Sequence, residues 1–241
     1  MADFDGLSEN RADKLVREKH MRRFTSVLLS LFVVAGLSAC TARQSAEPSV
    51  TAFGSLARVD RASDERPGVT TNLIKDGSFE KPVAASGGFI VFNTGQSFSK
   101  WTVVGASGSV GIVSGTFTQN GFTFPAGCAK QWLDLTGLSQ SATGVAQTVA
   151  TQSGHSYTLR FSVGNVVNPN GIFGTSSTVD VLINGNQVLA ATNSRGAGKT
   201  TQVWKAFSKT FTASSTSTTI AFMNGDPASD TNNGLDCISL H

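Results

Sequence analysis

From Asn72 to the end of the chain, apolar residues fall in short runs or at every second position, separated by Gly, Asn, Ser and Pro. Tyr157, Leu159, Phe161 and Val163 alternate with polar neighbours, as do Val179, Val181 and Ile183, and Ile220 with Phe222. A period of two is that of a strand with one buried face. The pattern predicts strands over 89–92, 101–104, 109–113, 131–135, 144–149, 156–163, 177–183, 186–190, 203–212, 217–223 and 235–240. Asn184-Gly185 between two of these runs is a hairpin turn signal. No segment sustains helical periodicity with caps, and no long internal repeat is present. About ten strands within residues 72–241 predict one all-β domain, a two-sheet jelly-roll sandwich around a single core.

The pattern stops upstream of Asn72. Residues 41–71 mix Ser, Ala, Arg, Asp, Glu and Pro without periodicity and read, with Cys40, as a disordered tether. A flexible coil of that length reaches on the order of 30 Å. Residues 21–39 are different again. Arg22 and Arg23 precede an uncharged, mostly apolar stretch from Phe24 to Leu37. That stretch suits a secretory signal and is short of the ~20 residues a membrane span needs.

Leu37-Ser38-Ala39-Cys40 resembles the lipobox of bacterial lipoproteins. The resemblance implies cleavage before Cys40, a diacylglyceryl thioether on its thiol, and acylation of the new amino terminus. Two or more chains give stable anchoring where one is marginal. The implied partner is the membrane, and the implied location is the cell envelope. Thr41 in place of Asp implies the outer membrane if the envelope is Gram-negative. Residues 1–20, nine of them charged, read as a start placed too early or as a short extension before Met21.

Charge removes one class of partner. The 241 residues carry 19 Lys+Arg and 16 Asp+Glu, a formal net charge of +3. Residues 72–241 hold only nine basic and seven acidic side chains, and no run of either sign. Nucleic-acid binding needs a phosphate-tracking stripe that this distribution lacks.

Several segments then line up in order: Asn72-Leu-Ile-Lys-Asp-Gly-Ser-Phe-Glu-Lys-Pro82, Trp101-Thr-Val-Val104, Gly108-Ser-Val-Gly-Ile-Val113, Leu133-Asp-Leu-Thr-Gly137, Tyr157-Thr-Leu-Arg-Phe-Ser-Val-Gly-Asn165, Phe211-Thr-Ala213 and Gly234-Leu-Asp-Cys-Ile-Ser-Leu240. Together they resemble the choice-of-anchor C proteins of bacteria and the related plant cell-wall proteins, the domain of unknown function numbered 642. The resemblance implies a galactose-binding-like jelly roll and, through the plant members, polysaccharide as a partner. This chain has Gly111 where the family usually has an acidic residue, and one domain where the plant proteins typically have two.

Candidate chemistry is sparse. Asp236 shares parity with Ile238 and Leu240 and is expected to point inward. A buried carboxylate requires a partner. Many galactose-binding-like modules hold a structural calcium with a carboxylate near each end of the domain, which here are Glu80 and Asp236. The other reading is that Asp236 caps a turn and Glu80 is solvated or paired with a lysine. Trp101 and Trp204 are expected in the core. Trp132 and Asp134 lie opposite in parity to Leu133 and Leu135. Trp132 either offers a sugar-stacking face beside Asp134 or is covered by the 115–128 loop with Phe117, Phe122 and Phe124.

Once Cys40 carries lipid, Cys128 and Cys237 remain in an oxidising compartment. The expectation is a disulfide joining the long loop to the last strand; the alternative is two separate buried thiols, since spacing does not show Cα atoms within ~7 Å. No nucleophile elbow, zincin motif or Cys/His zinc spacing is present. The leading reading is a non-catalytic, surface-tethered glycan-binding sandwich. Behind it stand a protein-interaction module and a polysaccharide hydrolase using Asp134 or Glu80.

Overall fold

The computed structural model describes residues 71–169 and 171–241. The early start or extension (1–20), the signal peptide (21–39), Cys40 and the tether up to residue 70 lie outside the described residues.

Fourteen strands follow in chain order: β1 (Phe89–Asn93), β2 (Ser97–Phe98), β3 (Trp101–Gly105), β4 (Ser109–Ser114), β5 (Thr118–Gln119), β6 (Phe122–Thr123), β7 (Gln131–Asp134), β8 (Thr143–Ala150), β9 (Ser156–Asn165), β10 (Ser177–Ile183), β11 (Asn186–Asn193), β12 (Val203–Thr212), β13 (Ser217–Asn224) and β14 (Gly234–Leu240). One six-stranded sheet runs β1-β4-β7-β14-β9-β12 and the other β11-β10-β13-β8-β3-β2. Every strand pairing within them is antiparallel. The chain crosses repeatedly from one sheet to the other, which makes the sandwich a jelly roll. No helix occurs among the described residues.

The alternation seen in the sequence decides which residues meet between the sheets. Leu159, Phe161 and Val163 of β9 face Val179 and Val181 of β10 and Ile220 and Phe222 of β13 in one buried cluster. Trp101 is fully buried there, its ring 5.5 Å from Phe79, and its indole N–H donates to Asp76 O at 2.9 Å. Asn184 and Gly185 both take positive φ, 50° and 82°, and close the β10–β11 hairpin. A two-residue turn of this type requires positive φ at both positions, which asparagine and glycine tolerate best.

One expectation about β14 is corrected. Leu235 pairs with Val163 and Asp236 with Ser162, but the register then shifts before Ser239 pairs with Arg160. Cys237, at φ 58°, is the extra residue of this bulge. Leu235, Ile238 and Leu240 are all buried in the core, so parity changes across Cys237. Asp236 therefore lies on the opposite face of the sheet from Ile238, not with it. A bulge inserts one residue and switches the facing of all that follow.

Candidate functional site

Part of the outer face of the β1–β12 sheet is covered, around Val113, Trp132 and Trp204, while Arg160, Ala206, Ser208 and Thr210 on the same face are exposed. A second buried cluster, Val113, Phe124, Trp132, Val166 and Phe173, covers that part, with Phe117, Phe122, Ala126, Ile172 and Trp204 packed alongside. The covering residues come from two loops, 115–128 with its small β5–β6 hairpin, and 166–176. Trp132 is 2% exposed, its indole N–H donates to Phe124 O at 3.1 Å, and the Phe124 ring stacks over it at 6.2 Å. It offers no ring face to a ligand. The reading of Trp132 as a sugar platform is thereby corrected: the loop supplies enough aromatic surface to bury the indole, and its N–H finds a carbonyl inside.

Asp236 holds the covering loop down. Its Oδ2 accepts the amides of Gly127 (2.9 Å) and Cys128 (2.7 Å), and its Oδ1 accepts the amide of Cys237 (2.7 Å). Cys128 and Cys237 are disulfide-bonded, with Cα atoms 5.5 Å apart. Glu80 serves the next stretch: its Oε1 accepts the amides of Lys130 and Gln131, both at 2.9 Å. Glu80 is thus partly exposed, with one carboxylate oxygen engaged by backbone amides rather than by a lysine among the described residues. Burial pushes the Asp236 carboxyl up to about 7 against its amide donors, with the Glu80 charge adding to the rise.

Glu80 and Asp236 fit a hard cation by donor type, since calcium favours carboxylate oxygens supplemented by carbonyls. The observation behind the fit is that two neighbouring carboxylates, one of them buried, have no ion-pair partner among the described residues. Both carboxylates also have a second function, because five amide hydrogen bonds already converge on them. Among the described residues, no three His, Cys, Asp or Glu side chains cluster as a metal group.

Asp134 belongs to a different place. Register aligns Gly111, Asp134, Gly234, Gly164 and Trp204 in one row across the sheet. The Trp204 indole lies over the two glycines: a Cβ at Gly164 would come within 2.9 Å of it, and one at Gly234 within 3.1 Å. Trp204 is half-buried rather than a core residue, and its N–H donates to Pro125 O at 2.9 Å. A Cβ at Gly111 would meet only ordinary contacts, so space exists where the family carries an acidic side chain.

Asp134 Oδ1 accepts the Thr136 hydroxyl (2.7 Å), the Thr136 amide (3.0 Å) and the Asn233 amide (3.3 Å). Burial lifts its carboxyl to about 6. Asp226 and Asp230 lie near enough for their charges to act on one another and for Asp134 to act on both. Burial is the main cause in each, raising Asp226 to about 7 and Asp230 to about 8. Spacing in the sequence does not pair these aspartates; the fold gathers them at the end of the sandwich where β7, β10, β13 and β14 meet.

Beside this acidic end lies an open depression of about 330 Å³, lined by Asn93, Thr94, Ser107, Gly108, Ser109, Leu138 and Ser139. Leu138 is 56% exposed, and among the described residues no hydrogen bond uses the side chains of Asn93 or Ser107. A second depression, of about 400 Å³, lies at the opposite end around Leu73, Gln152, Tyr157 and His241. Glu80 and Asp134 are at opposite ends of β7, so the structure does not bring the two proposed hydrolytic carboxylates together.

Fold and site define a single jelly-roll domain with one sheet face partly covered by two loops, one of them disulfide-tied, and a group of aspartates at one loop end. The chain belongs to the family described as Protein of unknown function (DUF642), whose model matches residues 72–237. No curated protein matches its sequence. Among solved structures it is similar to a family 35 carbohydrate binding module from Clostridium thermocellum, at 14% identity and TM-score 0.38, over 63% of this chain and 96% of that one. It is similar to the CBM22-1 xylan-binding domain of Paenibacillus barcinonensis Xyn10C, at 15% identity and TM-score 0.38, over 66% and 96% of the two chains. A cyclase from Fischerella sp. TAU is similar at 17% identity and TM-score 0.46, over 69% and 94%.

Proposed function

We propose that this protein is a non-catalytic glycan-binding module displayed at the cell envelope on a lipidated Cys40. The observation that carries the binding reading is the depression at the far loop end. Its free amide (Asn93), free hydroxyl (Ser107) and exposed Leu138 are chemically complementary to a neutral sugar, which presents hydroxyls and apolar C–H patches. Its size is at the lower end of ligand pockets. A fold does not fix a function, so the argument rests on this lining rather than on the sandwich. Placement favours it too. The chain enters the domain beside Leu240, where the Leu73 amide donates to the Leu240 carbonyl, and the depression lies at the other end of the strands. A domain tethered at one end presents its opposite end outward.

A polysaccharide pull-down and glycan array with the purified full chain test this. Binding is expected, and Asn93→Ala combined with Leu138→Ala is expected to weaken it about tenfold, the usual size of losing one polar and one apolar contact. The melting temperature should not move, because neither side chain holds the fold. An array with no binder, or full affinity in the double variant, rejects the reading.

Calcium bound by Glu80 and Asp236 is a structural element of the same proposal, clamping the first segment and the covering loop to β14. A melting point that calcium raises at pH 8, and that chelator returns, is the expected result. Lipid anchoring is tested by fractionation: the wild type is expected in the membrane fraction and Cys40→Ser in the soluble one.

A further inference from the structure

We propose that Asp134, Asp226 and Asn233 form a second site, distinct from Glu80 and Asp236, for a hard divalent cation of the calcium class. Asn233 stands between the two carboxylates. Its backbone amide donates to Asp134 Oδ1, and its side-chain Nδ2 donates to Thr178 O and to Asn224 Oδ1 at 2.8 Å. Asp226 uses the same two neighbours: its Oδ1 accepts the Thr178 amide at 2.7 Å, and its own amide donates to Asn224 Oδ1 at 3.2 Å. Thr178 and Asn224 thus anchor both the Asn233 side chain and Asp226.

Each of the two side chains has an oxygen left over. Asp226 Oδ2 and Asn233 Oδ1 are buried and accept no hydrogen bond. The orientation of the Asn233 amide is not arbitrary, because two acceptors, Thr178 O and Asn224 Oδ1, define which end carries the hydrogens. Asn233 is 0% exposed, so water outside the protein does not satisfy it. Buried polar atoms in folded proteins are nearly always paired, and an orphan acceptor calls for a donor or an ion. Here the two orphan acceptors sit on side chains anchored to the same two residues, amid carboxylates that repel one another and, among the described residues, have no lysine or arginine paired to them.

A cation answers all three conditions at once, whereas a hydrogen-bond donor answers one oxygen at a time. Calcium accepts this mixture: its ligands are carboxylates, asparagine carbonyls, backbone carbonyls and waters, six to eight in number. No three carboxylates, imidazoles or thiols among the described residues converge as a metal group, so the site is a mixed one rather than a carboxylate cage. Zinc and copper, which favour nitrogen and sulfur, are poorly served by it. Asp230 is buried outside the site, within reach of the Asp226 and Asp134 charges.

Equilibrium dialysis of the chelator-treated full chain against calcium chloride, counting ions bound per chain, decides the matter. Asp226→Asn is expected to bind one ion fewer than the wild type, while Asp236→Asn keeps the ion held at Asp226. If Asp226→Asn loses its native circular dichroism, Asp134→Asn is read by the same criterion. An unchanged ion count in the folded variant overturns the second site and leaves the Glu80–Asp236 site standing. A wild type that binds no calcium overturns both.

Discussion

At the residue scale, the described domain is unusual in placing aspartates where water is scarce and countercharge is missing. Asp134, Asp226, Asp230 and Asp236 are all held above the ordinary carboxylate value of 3.8, at about 6, 7, 8 and 7, chiefly by burial. The sign of the consequence follows from linkage. Between pH 4 and 8 the folded protein keeps protons that the unfolded chain has released. The stability these groups contribute is therefore complete below about pH 4 and is lost as pH rises through 6 to 8. In chelator, the melting temperature is expected to fall from pH 5 to pH 8; a flat or rising profile would contradict the assignment. Calcium should reverse the trend, since it stabilises the ionised form. Trp132 makes a separate case. With its ring enclosed by Phe124 and its N–H bonded, Trp132→Ala is expected to cost about 3–5 kcal/mol in denaturant unfolding, the range for buried large aromatics. A solvent-facing sugar platform would lose binding and hardly any stability.

At the scale of elements, the covering loop and β14 act as one unit. The loop is joined to β14 by the Cys128–Cys237 bond and by the Asp236 carboxylate, both acting at residues 127–128. The bridge spans 109 residues, a long closure, and its removal in the Cys128→Ser, Cys237→Ser double variant is expected to destabilise by about 2–4 kcal/mol. The loss should be accompanied by faster hydrogen exchange across 115–128, which reports local opening. The glycine row makes a matching claim about the other covering contact. Gly164→Ala would drive a methyl group to 2.8 Å from Gln202 and 2.9 Å from the Trp204 ring. A cost of about 1–3 kcal/mol is expected, with a changed Trp204 fluorescence, because overpacked sites displace the side chain above them. Elements of this kind were only partly legible. Every strand of four or more residues shows its alternation or its apolar run in the sequence, whereas β2, β5 and β6 have two residues each, too few to define a period. The Cys237 bulge has no local signature either; it follows from tying β14 both to β9 and to the loop.

At the scale of the whole molecule, the sandwich has two unlike ends. The described chain begins and finishes at one, where Leu73 bonds Leu240 and a depression forms around Tyr157 and His241. The acidic group and the hydroxyl-lined depression occupy the other. Under the proposed lipid anchoring, that polarity suits a domain held from one end and used at the other. It also bears on the antithesis between binder and enzyme. The carboxylates that an acid–base mechanism would need are engaged elsewhere, Glu80 on amides and Asp134 on Thr136 and Asn233. A Glu80→Gln variant is accordingly expected to lower the melting temperature, because a neutral amide oxygen accepts more weakly from the Lys130 and Gln131 amides.

What the sequence alone determined was the strand content, the single two-sheet core, the sparse and scattered charge of residues 72–241 and the facing of Trp132 and Asp134 away from Leu133. These follow from local alternation and from charge placement, which are properties of neighbours along the chain. Only the tertiary structure decided that Trp132 is covered, that Asp236 changes face, that Cys128 meets Cys237 and that the Asn233 amide meets Asp134. Each depends on residues far apart in sequence being brought within a few ångströms by strand order, and no local pattern carries that distance.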